Sequence, residues 1–294
     1  MNNQIDLHKQ ILQLCQKIYP SHITEDKLCL PSSTAKILLF AEKNRLIHFL
    51  ALEQKATGQN QLLQKSAQEY RQYQKDLYLS LDLLSKNLKG KQYLVIKTFS
   101  SYPHTTSDLD VLVKNASDYR QLSTDIQQKH IVFPVKTDIN LKISWTTGRE
   151  ISDNFVWSNT DTKKFNSLEI TVPNPDLDVL IRLAHIPFEL AEIRLGELLY
   201  IFRQARTVNW LKLKKEAEDN SWKNTYQRMI EIFNNLHHTL YHQPLLNNQE
   251  TKDLGQLYFP VTIPYWILIG AIIEKRAWNK IWGGRYILKD RLGL

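Results

Sequence analysis

The sequence predicts an α+β fold, a small mixed β-sheet flanked by an N-terminal and a C-terminal helical region. Three observations lead there. Apolar residues recur at helical spacing through the first ninety or so positions. From Lys91 to Val172 the pattern changes to short β-branched and alternating runs, and after Pro173-Asn174-Pro175-Asp176 amphipathic helical patterns return. The regions are accordingly placed at 1–90, 91–172 and 173–294. With 43% hydrophobic and 23% charged residues, the composition is that of a folded globular protein rather than a disordered one.

In the first region, Ile5, Leu7, Ile11, Leu12, Leu14 and Ile18 form one helical stripe that Pro20 ends. Pro31-Ser32-Ser33-Thr34 offers a cap for a second helix, from about Thr34 to Lys55. Thr57-Gly58 punctuates, and a long polar helix runs from about Asn60 to Leu88, stopped by Gly90. Its Leu62, Leu63, Tyr70, Tyr73, Leu77, Leu81 and Leu84 form a face for the next region, and its glutamines and lysines a solvated one.

The second region opens with Tyr93-Leu94-Val95-Ile96, a strand, followed by the polar loop Phe99 to Ser107 and a second strand headed by Asp108-Leu109-Asp110. Side chains alternate along a strand, so Asp108 and Asp110 share one face while Leu109, Val111 and Val113 share the other. The acids stand about 6–7 Å apart at Cα, close enough to converge on one hard cation or a pair. A short helix, about Ser117 to Lys129, comes next. Ile131 to Val135 and Asp138 to Trp145 then read as two short strands or one bent strand. Thr146 to Asn166 reads as a loop anchored by Phe155 and Trp157, and Leu168 to Val172 as a closing strand.

The strand, polar loop and Asp-x-Asp strand resemble the signature of the nucleotidyltransferase superfamily, the polymerase-β-like fold. In that family Gly-Ser, a loop of about ten residues and Asp-x-Asp follow in order. Thr98 stands at the place of the family serine and Lys97 at that of its glycine, a departure shared with divergent, poorly characterised nucleotidyltransferase-like proteins. The resemblance implies a metal-dependent enzyme that moves a nucleoside monophosphate from an NTP, such as ATP, to an acceptor. Asp108 and Asp110 would hold Mg²⁺ or Mn²⁺. Lys97, Thr98, Ser100, Ser101 and Ser107 would cradle the phosphates, and His104 would flank them. A third acid is expected from the strand at 138–145. Asp138 is the candidate, with Asn140 the alternative positional equivalent, and Asn140 and Lys142, on the same face, are expected as substrate contacts, as is His104. The acceptor is left open among RNA, protein and small molecules.

The third region begins with Asp176 to His185, an amphipathic helix with acids in its first turn, which Pro187 kinks or breaks. His185 either faces the cleft and touches substrate or packs as a core histidine under the kink. Further helices are expected at 195–206, 210–218 and 222–241. The last segment, Tyr265 to Leu294, interleaves Trp266, Trp278, Trp282 and Tyr286 with bases. That string suits either stacking on single-stranded nucleic acid or a helix with its aromatics packed inward.

Two cysteines without paired spacing, Cys15 and Cys29, point to neither a disulfide framework nor zinc. No apolar run reaches the roughly 18 residues of a membrane span, and no secretory signal is visible, so a cytoplasmic protein without a membrane partner is expected. The net charge of +8 favours anionic partners. Two readings compete with the enzyme: a nucleotidyltransferase fold that only binds nucleotide, nucleic acid or protein, and a basic helical nucleic-acid binder in which the Asp pair is incidental.

Overall fold

The computed structural model describes residues 7–20, 34–53, 61–145, 149–190 and 193–246. The basic aromatic segment at 265–294 and Cys29 lie outside the described residues. The fold is mixed α+β, with small sheets among many helices.

The N-terminal helices are α1 (Leu7–Ile18), α2 (Thr34–Lys43), α3 (Ile47–Glu53) and α4 (Gln61–Asn87). One helix was expected from Thr34 to Lys55, but the chain turns a corner at Asn44, where Arg45 takes a left-handed φ of 60°. Asn44 is fully buried and is consumed by the corner: its side-chain amide donates to Phe40 O at 2.9 Å. Its Oδ1 accepts from Leu195 N at 3.0 Å and its carbonyl from Gly196 N at 3.2 Å.

The central sheet has the order β1 (Tyr93–Ile96), β2 (Leu109–Val113), β3 (Thr137–Asn140), with β1 antiparallel and β3 parallel to β2. Helix α5 (Ala116–Gln128) links β2 to β3. The segment at Ile131–Val135, read as strand, is irregular; Val135 N donates to Ser80 Oγ on α4 instead of to a neighbouring strand. The run from Asp138 divides after Asn140, because Ile143–Ser144 (β4) pairs with Glu150–Ile151 (β5) in a sheet of its own. The stretch expected to be loop up to Asn166 also holds α6 (Asp153–Ser158) and β6 (Thr160–Phe165). Strand β6 forms a hairpin with β7 (Leu168–Pro173), turning at Asn166 with φ 54°, a conformation asparagine tolerates better than most residues.

The C-terminal helices are α7 (Pro175–His185), α8 (Leu195–Gln204), α9 (Trp210–Asp219) and α10 (Lys223–Tyr241). Helix α7 starts where Asn174 accepts from Leu177 N at 3.1 Å, with proline just inside, a position that needs no N–H. It does not stop at Pro187 but widens into a π turn over Ile186–Leu190.

The sheet separates two hydrophobic clusters. Val95, Leu109, Val111 and Val113 pack on Leu77, Leu81, Leu84 and Leu88 of α4, with Leu122, Ile170 and Val172. Leu94, Ile96 and Leu112 join the larger cluster, which the N-terminal helices share with α7 to α10. Cys15 is buried there, and burial pushes its thiol up to about 12, so it is an inert packing residue. No helix among the described residues is long and apolar enough to cross a membrane.

Candidate functional site

The acid face of β2 opens into a cleft of about 200 Å³ lined by Asp108, Asp110, Asp138, Lys97, Arg45 and Arg182, together with Thr106, Ser107, His185 and Glu197. Its position follows from strand alternation. Because Leu109, Val111 and Val113 are taken into the dry cluster behind the sheet, Asp108 and Asp110 must face forward. The parallel pairing sets Asp138 directly beside Asp110, and Asn140 beside Leu112. Asp138 is therefore the third acid in the row; Asn140 and Lys142 are exposed and do not line the cleft.

Lys97 occupies an unusual place. Its φ of 57° is the left-handed conformation for which glycine is the default residue, and a lysine there costs about 1–2 kcal/mol. The backbone thus turns as a glycine would, while the side chain crosses to Asp110, Nζ to Oδ2 at 2.7 Å. Both side chains are mostly withdrawn from water, at 23% and 17% exposure. Asp108 accepts from Ser107 Oγ at 3.1 Å, and Asp138 meets the exposed Lys136 at 3.0 Å.

The loop between β1 and β2 is held from three sides. His48 of α3 reaches Thr105 Oγ1 at 3.1 Å, and Tyr73 of α4 reaches Thr106 Oγ1 at 2.8 Å. From α7, Arg182 approaches Phe99 O and Ser100 Oγ at 3.4 and 3.5 Å. Inside the loop, Tyr102 lies against Gly196 so closely that a Cβ there would come within 2.4 Å of the phenol oxygen. Thr98 is buried and donates to Ile96 O, so its hydroxyl shapes the turn rather than the cleft. Ser101 is exposed, and neither it nor Ser100 lines the cleft. His104 is buried beneath the site, with Nδ1 3.4 Å from Tyr102 O. Burial, reinforced by the Arg182 and Arg45 charges, pulls its pKa down to about 3, so it is neutral at ordinary pH.

The cleft lining also includes residues that the motif did not reveal. Arg182 is almost fully buried, paired with Asp178 at 3.0 Å and stacked 4.3 Å over Tyr200. Burial works against its charge, but Asp178 more than offsets this and its pKa is raised. Arg45 comes from the α2–α3 corner and pairs with Glu197 in the first turn of α8 at 3.0 Å. His185 is partly exposed on the cleft wall, three residues on from Arg182 and so on the same side of α7. A sequence signal existed for Arg182: it is the one cation in an apolar helical run, with an acid four residues before it. None existed for Arg45.

Among the described residues, no group of three or more His, Cys, Asp or Glu side chains is gathered tightly enough to hold a metal by itself. The donor set instead fits a hard cation such as Mg²⁺, which keeps few protein ligands and takes the rest from phosphate and water. Asp108 and Asp110 would hold it, with Asp138 alongside. Lys97, Arg45 and Arg182 line the same cleft, each paired with a carboxylate, and ammonium and guanidinium groups are the donors that phosphates take. No protein-family model, curated protein or solved structure matches the chain.

Proposed function

We propose that the protein is a nucleotidyltransferase that transfers a nucleoside monophosphate from an NTP to an acceptor hydroxyl, releasing pyrophosphate. The observation that carries this reading is the row of Asp108, Asp110 and Asp138 at the head of β2 and on the adjoining β3, lining one cleft with Lys97, Arg45 and Arg182. A divalent cation held by Asp108 and Asp110 would supply Lewis-acid stabilisation of the transferred phosphoryl group. The remaining work falls to the chain. Arg182, fixed by Asp178 and Tyr200, offers a rigid guanidinium that is always charged. Arg45 and Lys97 add donors for polyphosphate oxygens. Asp138 would accept the proton of an attacking hydroxyl, and the loop tied down by His48 and Tyr73 would close the phosphate end.

The test is calorimetric titration of Mg·ATP, and then of the other NTPs, into the wild type and the Asp108→Asn, Asp110→Asn double variant. Binding that requires metal and disappears in the variant supports the reading, and pyrophosphate release on screening RNA, protein and small-molecule acceptors completes it. Absence of metal-dependent NTP binding sinks it.

The Lys97–Asp110 ion pair favours a second reading, in which the site binds a nucleotide or another anion without catalysis. That protein would bind NTP equally with and without Mg²⁺ and release no pyrophosphate with any acceptor.

A further inference from the structure

Lys97 holds a position that a bound cation would contest. Its ammonium lies 2.7 Å from Asp110 Oδ2, on the face that Asp110 shares with Asp108 and Asp138. The chain tolerates a left-handed lysine to put it there, although glycine would satisfy the backbone without strain. Asp110 is thereby already neutralised, and the other two acids do not complete a three-ligand group with it. A bare divalent ion entering the cleft must separate a partly buried ion pair, leave the ammonium without a partner, and accept few ligands in return.

A cation that arrives on a polyphosphate meets different terms. The phosphate oxygens complete its coordination and give the Lys97 ammonium a new anionic partner within the same cleft. Resting on the metal–nucleotide reading above, we propose that Lys97 is a built-in counter-ion for Asp110 that excludes the bare metal and yields to the metal–polyphosphate complex, so that metal and triphosphate enter together. Lys97 is then a positioning residue for the cation and a binding residue for the phosphates.

The inference makes two predictions of opposite sign for one substitution. Mn²⁺ alone, followed by the paramagnetic signal of the free ion, should bind Lys97→Met about tenfold more tightly than wild type, since Asp110 is released. Mn·ATP, titrated by calorimetry, should bind the same variant about tenfold more weakly, since a phosphate partner is lost. Lys97→Gly should repeat both effects while relieving the left-handed strain, which separates them from any folding defect. Adding Asp110→Asn to Lys97→Met should cancel the gain for Mn²⁺ alone. Unchanged or weaker Mn²⁺ binding in both Lys97 variants overturns the proposal. So does a parallel rise for Mn²⁺ and Mn·ATP, which would make the lysine a simple repulsive charge. Tighter Mn²⁺ binding in the variants with no Mn·ATP binding by the wild type overturns the exchange through the nucleotide reading itself.

Discussion

On one face of β2, Leu109, Val111 and Val113 are sealed against the α4 leucines; on the other, Asp110, with Asp108 just ahead of the strand, opens to the cleft. The backbone is the same and the environments are opposite. The dry face holds the register, because a slip of one residue would bury the acids and expose the valines. The acid face joins the packing only through Leu112, which reaches the larger cluster; its mouth, at Asp108 and Asp110, is free to carry charge for chemistry. The strongest test of this contrast is Val111→Asp, which places a carboxylate in the dry cluster with no partner. A loss of more than about 4 kcal/mol is expected in chemical denaturation, which prevents folding if the total stability is ordinary. A folded variant with wild-type stability would break the comparison.

Next in size is Arg182→Met, which leaves the Asp178 carboxylate buried without its counter-charge. A cost of about 3–5 kcal/mol is expected in the same assay, whereas the double change Arg182→Met, Asp178→Leu should recover most of it. Gly196→Ala sharpens the contrast from the cleft side. The added methyl collides with Tyr102 and with Asn44 O, so a loss of about 1–3 kcal/mol should come with weaker nucleotide binding as the loop shifts.

His104 provides a pH test. Its folded pKa of about 3 lies below the usual 6.5, so the unfolded chain takes up the proton first as pH falls. Stability is full above about pH 6.5 and declines below it. Between pH 7 and 5 the wild type should lose about 2 kcal/mol relative to His104→Gln in urea titrations at each pH. The smallest effect belongs to Asp110→Asn. Stability should stay within about 1 kcal/mol of wild type, because the lost ion pair is partly open to water, while metal-dependent ATP binding disappears. A large loss of stability there would show that the acid face does hold the fold.

Much of this arrangement is written in local pattern. Period-two alternation at 108–113 and helical stripes at 61–87, 176–185 and 223–241 depend only on neighbours in sequence, so they can be read before the structure is seen. The features that were missed depend on distant partners. The corner at Asn44 has no glycine or proline and the apolar pattern runs on through Leu46 and Ile47; the chain is turned by local bonds from Leu46 N to Ala41 O and from the Asn44 amide to Phe40 O, and held by the buried contacts to Leu195 and Gly196. Arg45 was invisible in consequence. Strand β6 is Thr-Asp-Thr-Lys-Lys-Phe, polar on both faces, and exists as an edge because β7 offers it a full ladder. Conversely, Ile131 to Val135 has strand-like residues but carries Pro134, which gives no ladder donor, and Val135 N is claimed by Ser80.

The Asn44 corner also sets a schedule for making the protein. Asn44 caps the start of α8 across 151 positions of chain, and Arg45 reaches Glu197 over a similar span. At the usual pace of about 5–20 residues per second, roughly 8–30 s pass on the ribosome between the emergence of the corner and that of the helix it caps. Throughout that interval the buried asparagine, the apolar faces of α1 to α3 and one wall of the cleft wait for partners that have not yet been synthesised. The α2–α3 corner is made well before its partners, and that wall of the cleft is completed only after the chain has passed the start of α8.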